Sequence, residues 1–381
     1  MPDNKIRLLL VGDANSIFIT NYALWLKNTK SNFEIDILTL TEIKPENQVY
    51  YNRVISLSDF PSYHSFYKFK GVRRIVLHFF YAHIISKLRD YQYVHFHFIS
   101  PLIYSLIGLI KQRTNSKIIL TIWGSDLYRI FKIDKSLFRK SCQHADSISF
   151  TNKESLEFFK KNYNWPKPNL YECRFGLSPL ENISELKLQK NECKTELGWD
   201  NNRLSVAVGY NLSKGQQHLK ILEALRQNEI HTIKDKIQLV FPLGYGGSVE
   251  YKKEVLAAIG QSGFEAIIID KYLSNKEVAL LRKATDIMIQ VQTTDQFSGS
   301  MQEHIFAGNV VITGNWLPYK KLKESGVYFE EVNSIAELPD KLTEIVRNYK
   351  SCELKAQHNH EPISMLSRWK NTIDSWMILY H

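Results

Sequence analysis

The chain has 381 residues, 44% hydrophobic and 23% charged, the composition of a globular protein of about two to three domains. Four scattered cysteines (Cys142, Cys173, Cys193, Cys352) without a Cys-x-x-Cys pair argue against a zinc knuckle or disulfide scaffold and suit a reducing cytosol. A net charge of +10 calls for an anionic partner or surface, for which nucleic acid, a membrane face and a nucleotide-sugar pool each fit.

The opening MPDNKIRLLLVGD has too short an apolar run for a signal peptide. The longest apolar patch, ISPLIYSLIGLI, falls short of the roughly 20 residues a membrane span needs. The expectation is a cytoplasmic protein that could lie on the inner face of the plasma membrane but not cross it.

Ile6–Val11 has the pattern of a buried strand and ends in Gly12-Asp13-Ala14-Asn15-Ser16. SIFITNYALWLKNT then spaces its apolar residues for a helix, and FEIDILTL alternates as a second strand. This is a Rossmann-type opening without Gly-x-Gly-x-x-Gly. Asp13 stands either where a loop faces substrate at the strand's carboxyl end or where a helix cap is needed. Residues 63–90 set Lys68, Lys70, Arg73, Arg74 and Lys87 among aromatic and aliphatic side chains. That suits a helix on an anionic bilayer, or a surface helix with snorkelling cations.

YVHFHF is a strand carrying His95 and His97 on one face. With no third ligand nearby in sequence, they read as core or substrate-contact residues rather than a metal site. Residues 100–110 read as a buried helix. KIILTI is a strand ending in Trp123-Gly124-Ser125-Asp126, a second loop suited to a substrate. Short strands are expected at 147–150 and 171–174.

Residues 178–202 turn polar and charged, with one helical piece, and read as an interdomain connection. The opening pattern then recurs. LSVAV ends in Gly209 and leads through YNLSKGQQ to a helix; Lys214 and Gly215 stand where a cation and a close backbone approach would serve a phosphate, or form a surface turn. IQLVFP ends in Leu243-Gly244-Tyr245-Gly246-Gly247. In ATDIMIQVQTTDQFSGSMQEHIFAGNVVITGN a strand, a polar loop, a helix and a strand follow one another. A helix start after a small-residue loop offers free N–H groups to a phosphate, and a carboxylate a turn further on can hold vicinal hydroxyls. Residues 364–379 form an amphipathic, Trp-rich terminal helix.

These residues carry a family resemblance. Asp295 and Glu303, eight positions apart, resemble the Glu-x7-Glu motif of family-four glycosyltransferases, with Asp for the first Glu and Phe297-Ser298-Gly299 for the Phe-Gly between them. Ala307-Gly308-Asn309-Val310-Val311 is similar to the following Ala-x-Gly-x-Pro-Val-Val without its Pro, and Gly209 to Gly215 to a Gly-Arg-x4-Lys-Gly loop with Tyr210 for Arg and one residue fewer before Lys214. Trp123–Asp126 resembles His-Gly-Ser-Asp. More loosely, residues 242–255 resemble a region of lipid-linked acetamido-fucosyl transferases.

The resemblance implies an α/β fold of GT-B type: two Rossmann-like doubly wound domains with a C-terminal helix returning to the first. The implied bounds are 1–180 with 362–381 for the acceptor domain, 181–202 for a linker and 203–361 for the donor domain. It implies that Glu303 holds ribose, that Lys214, Gly215, Gly209, Gly244, Tyr245 and the N–H groups of Ser298, Gly299, Ser300 and Met301 hold the diphosphate side, and that Asp295 faces the donor sugar. Gly12, Asn15, Trp123, Gly124 and Ser125 would meet the acceptor across an interdomain cleft. For the missing loop arginine, either Lys214 with the helix N-terminus suffices or an arginine elsewhere, Arg174 or Arg282, substitutes.

No Asp-x-Asp occurs, so a metal-free, cofactor-free route is expected, with charge on the leaving diphosphate met by cations and dipoles. Asp13, Asp126 and His97 are candidate bases for an inverting reaction, while a retaining one can use the leaving phosphate. The expected product is surface polysaccharide or glycoconjugate, built on a saccharide or lipid-linked acceptor. Alternatives are a GT-B epimerase, a phosphorylase, or a basic nucleic-acid-binding protein; the last lacks a recognised module and its cations are spread along the chain, so nucleic acid is not an expected partner.

Overall fold

The computed structural model describes residues 5–381 apart from 30–31, 89, 164, 166–168, 228 and 296–297. The chain divides into two compact units, Met1–Phe175 with Thr372–His381, and Gly176–Asn371.

The first unit is built on seven parallel strands in the order β3-β2-β1-β4-β5-β6-β7. They are β1 Ile6–Val11, β2 Phe33–Thr39, β3 Arg53–Ser56, β4 Tyr93–His97, β5 Lys117–Ile122, β6 Ser147–Phe150 and β7 Leu170–Glu172. Its helices are α1 Ile17–Lys27, α2 Pro61–Tyr67, α3 Arg73–Ile85, α4 Tyr104–Arg113, α5 Ser125–Tyr128, α6 Lys135–Gln143 and α7 Lys153–Tyr163. Because helices cover both faces, central strands such as β4 are buried along their whole length, which is why they read as near-continuous apolar runs. Leu9, Val94, Phe96 and Leu120 form a core with Phe80 of α3, Ile107 of α4 and Phe138 of α6. The strand order reverses between β1 and β4, and such a switch point opens a crevice outside the carboxyl ends.

The second unit repeats the plan with six strands in the order β10-β9-β8-β11-β12-β13. These are β8 Leu204–Val208, β9 Ile237–Pro242, β10 Ala266–Ile269, β11 Ile287–Gln290, β12 Val310–Gly314 and β13 Glu330–Val332. The helices are α8 Ser178–Glu185, α9 Lys190–Glu196, α10 His218–Gln227, α11 Val249–Ser262, α12 Asn275–Ala284, α13 Gly299–Phe306, α14 Lys320–Glu324, α15 Leu338–Arg347, α16 Tyr349–Gln357 and α17 His360–Ser367. Here the switch point lies between β8 and β11. α13 is closed by Gly308 at φ +83°, the left-handed position where a side chain is disfavoured.

Several expectations are corrected. Residues 178–202 form two helices, α8 and α9, whose Leu180, Ile183 and Cys193 are buried, so the polar stretch is built into the second unit. α4 begins at Tyr104, not at residue 100. The terminal helix is two helices, α17 and α18 (Trp369–Met377), broken where Arg368 turns extended at φ −83°, ψ 135°. The first unit takes back only the residues from Thr372 onward.

Trp369, fully buried, sits against Gly176: a Cβ there would lie 2.3 Å from the indole Cγ. Gly176→Ala is therefore expected to cost about 1–3 kcal/mol through overpacking, read as a lower denaturation midpoint; an unchanged midpoint would contradict this packing.

Candidate functional site

In the first unit the loops after β1, β4 and β5 border the β1/β4 switch. At Gly12 a Cβ would come within 2.7 Å of Ile19 Cδ1 and 3.4 Å of His97 Cβ, so the β1 loop runs close beside α1 and β4. His97 lies in an aromatic box, with ring centroids of Tyr22, Phe175 and Trp376 at 5.1, 6.0 and 6.1 Å. His95 stacks on it at 4.2 Å. Neither His97 nitrogen has a hydrogen-bond partner, and burial pushes its pKa down to about 3. A neutral imidazole closed off from solvent cannot take a proton from an acceptor hydroxyl, so His97 is a core residue rather than a base.

Asp126 is also spent on the fold. Its Oδ1 accepts N–H groups of Trp123 and Gly124 at 2.9 Å each, and its Oδ2 accepts that of Ile99 at 2.9 Å. Burial pushes its pKa up to about 6 while the three N–H groups pull it down. The carboxylate clamps the β5 loop to the β4 loop. Asp126→Ala should leave three partly buried donors unmade and cost about 3 kcal/mol, measured by denaturant melting; a loss under about 1 kcal/mol would refute the clamp.

Asn15 braces the loop after β1 against residues 42–47. Its side chain donates to Glu42 O at 2.8 Å and accepts from Lys44 N at 2.9 Å and Asn47 Nδ2 at 3.2 Å. Asp13 stays exposed, accepting Asn15 N–H at 3.0 Å and the Thr41 hydroxyl at 3.3 Å. Since α1 starts after Ser16, Asp13 does not cap it. Trp123 is half-buried, its indole edge-on to Phe18 at 5.4 Å and Phe175 at 5.3 Å. Gly124 makes the turn at φ +112°. Ser125 opens α5, and its side chain lies outside the described residues.

In the second unit, Gly209 (φ +66°) starts the loop after β8 and donates to Ile289 O at 3.0 Å. Gly215 O accepts Thr293 N–H at 2.9 Å, joining this loop to the one after β11. Lys214 is exposed, its Nζ 5.4 Å from the Tyr251 ring centroid. Leu212 N–H reaches Tyr245 O at 2.7 Å, which brings in the β9 loop. Gly244 has a packing reason: a Cβ would lie 2.0 Å from Lys271 O. Tyr245 is half-exposed beside Tyr272. Its pKa is raised by burial first, with Tyr210, Arg282 and Glu303 in its electrostatic surroundings.

The N-terminus of α13 is partly occupied. Ser298 Oγ accepts Met301 N–H at 3.2 Å, and Ser298 N–H donates to Asp295 Oδ2 at 2.9 Å. Of the four N–H groups expected to face a diphosphate, those of Gly299 and Ser300 remain candidates. Phe297, part of the motif, lies outside the described residues. Asp295 also takes the Tyr319 hydroxyl. Tyr210, which stands where the loop arginine was expected, hydrogen-bonds Gln292, Ser298 and Gln216; its pKa is raised by burial and then by Asp295.

Glu303 is mostly buried and ion-paired: Arg282 Nε reaches its Oε2 at 3.0 Å. The other Arg282 nitrogens contact Ser300 Oγ at 2.7 Å and His304 Nε2 at 3.0 Å. Burial, then Arg282, holds the His304 pKa well below its ordinary value. The Arg282 guanidinium is thus engaged by Glu303, Ser300 and His304. Arg174, partly buried, lies near Glu172 and Glu154 in the first unit. Tyr210, Tyr319 and the Arg282–Glu303 pair were missed as a network because most of their partners are 18 or more positions apart, beyond any local spacing rule.

A family model described as "Glycosyl transferase 4-like" matches residues 7–152. No curated protein sequence matches the chain. Among solved structures, a glycosyltransferase from Rickettsia africae is 15% identical over 99% of this chain and 98% of its own, with a TM-score of 0.74. Sucrose-phosphate synthase from Thermosynechococcus elongatus is 14% identical over 98% of each chain (TM-score 0.69). Anabaena HepE, solved with UDP and glucose, is 13% identical over 98% of each (TM-score 0.68). The chain thus has the two-unit GT-B fold of these structures, and most of its first unit is similar in sequence to the glycosyl transferase 4-like family.

Proposed function

We propose that the enzyme transfers a sugar from a nucleotide-diphosphate donor to a saccharide or lipid-linked acceptor, without a metal or cofactor, at the inner face of a membrane during assembly of surface polysaccharide or glycoconjugate. One observation carries the donor assignment: at the β8/β11 switch the Gly209–Gly215 loop with Lys214, the first turn of α13, and the pre-oriented Glu303 gather at the carboxyl ends of the strands. HepE, a structure of the same fold, is solved with UDP and glucose, which makes uridine diphosphate the first nucleotide to try.

In the reaction the bond from the sugar's anomeric carbon to the phosphate oxygen breaks, the acceptor oxygen bonds to that carbon, and the acceptor hydroxyl loses its proton. Lys214 and the N–H groups of Gly299 and Ser300 meet the charge that grows on the leaving diphosphate. Glu303, aimed by Arg282, takes the ribose hydroxyls. Asp295, held by Tyr319 and Ser298 N–H, faces the sugar. With His97 and Asp126 enclosed in the fold, the proton goes to Asp13 or to the leaving phosphate itself.

The test is a thermal-shift screen of UDP, GDP, TDP and CMP compounds. One diphosphate class should raise the midpoint, and Lys214→Ala should shrink that rise. No rise from any compound would sink the donor assignment, and turnover of a nucleotide sugar with no acceptor present would favour the epimerase reading.

A further inference from the structure

The net charge is not spread evenly. Residues 61–87 and 128–144 hold ten lysines and arginines and one carboxylate, Asp134, giving +9 where the whole chain carries +10. Asp134 is buried and takes Arg74 Nη2 at 3.0 Å, an ion pair that joins α3 to the start of α6. The fold thus places the two basic segments side by side, which linear spacing did not reveal.

The same surface is unusually apolar. Phe66, Phe69, Ile75, Phe79, Phe131 and Ile133 are each more than 60% exposed. Isolated exposed apolar residues are ordinary, but a cluster of this kind marks an interaction face. Between the segments lies a cavity of about 500 Å³, lined by Ile75, Phe79 and Leu137, with Arg74 and Lys140 beside it and Gly108 of α4 in its wall.

We infer that this face docks on an anionic lipid bilayer, its cations on the headgroup phosphates and its cavity on an acyl chain. Charge complementarity selects this occupant. Ten cations with a single, already paired carboxylate demand an anionic partner, and protruding Ile and Phe side chains demand a hydrocarbon layer beneath it. A nucleic acid would satisfy the cations but leave the aliphatic side chains in water. The inference deepens the membrane-face part of the reading above and uses none of its donor chemistry.

The test is co-sedimentation of the full chain with vesicles of phosphatidylcholine, with and without phosphatidylglycerol. Binding is expected to the anionic vesicles, to fall in high salt, and to withstand excess soluble glycerol phosphate. Phe79→Ser/Ile133→Ser and Lys132→Glu/Arg139→Glu, all at exposed positions, should each lower partition at least about tenfold without lowering the melting midpoint. Gly108→Leu, where a Cβ would meet nothing nearer than His144 Nε2 at 3.9 Å, should fill the cavity and lower partition severalfold. Equal binding to neutral vesicles, full competition by glycerol phosphate, tight duplex DNA binding lost in the same variants, or unchanged partition in the variants would each overturn the inference. A nucleotide-induced melting shift without vesicle binding overturns this inference alone; vesicle binding without any nucleotide shift overturns the donor assignment alone.

Discussion

Glu303→Ala is expected to abolish turnover of a nucleotide sugar and to destabilise the second unit by about 3–5 kcal/mol, because it strands a buried guanidinium. Arg282 and Glu303 face each other at 3.0 Å with side chains only 6% and 11% exposed. Loss of activity in the single variant could therefore reflect unfolding, and the double variant Arg282→Met/Glu303→Met separates the two effects. Replacing both partners of a buried pair by apolar groups is commonly near neutral for stability. The double variant should recover most of the melting midpoint while still failing to bind the donor nucleotide. Recovery of donor binding together with stability would show that Glu303 serves the fold and not the ribose. Arg282→Met alone should keep the carboxylate but free its orientation, raising KM for the donor.

Acid should unfold the first unit from its aromatic box. The ordinary histidine pKa is about 6.5, and His97 in the fold is held at about 3. Between these values the unfolded chain binds a proton that the folded chain refuses. The stabilising contribution is whole above pH 6.5 and is lost as pH falls from 6.5 toward 3, at about 1.4 kcal/mol per pH unit. That makes about 2 kcal/mol at pH 5 and about 5 kcal/mol near pH 3 from His97 alone. His95 acts in the same direction, its pKa lowered by burial and then by His97. Urea melts at pH 7 and pH 5 would show the loss, and His97→Phe should flatten it by about the His97 share. An identical pH slope in the variant would refute the assignment.

The strands were legible because each central one is covered on both faces and so spells a run such as LLLV or IQLVFP. The edge strands RVIS and EEV were not, since a short edge has no such run. Glu303 and Lys214 were picked out by spacing along the chain, and the structure puts them on neighbouring segments of the second unit, after β11 and β8. A sequence shows Asp126 as a carboxylate on a loop but not the three N–H groups folded around it. The partners of Asn15, lying 27 to 32 positions away, were hidden for the same reason. The break at Arg368 was hidden because the apolar pattern runs on through it while the backbone does not.

The last ten residues also set an order of events at the ribosome. Trp376 is fully buried and its indole N–H reaches Arg174 O at 2.8 Å. Tyr380 hydroxyl meets Tyr22 at 2.6 Å and His95 Nδ1 at 2.7 Å, and its carbonyl takes the Tyr93 hydroxyl at 2.6 Å. Until that segment emerges, the box around His95 and His97 has no lid, although β1 through β7 were synthesised long before. The whole second unit must be translated first, a wait of about 10–40 s at ordinary elongation rates. During it the nascent first unit holds an open aromatic slot, so a premature stop after residue 371 should yield a chain that chaperones retain rather than a smaller working enzyme.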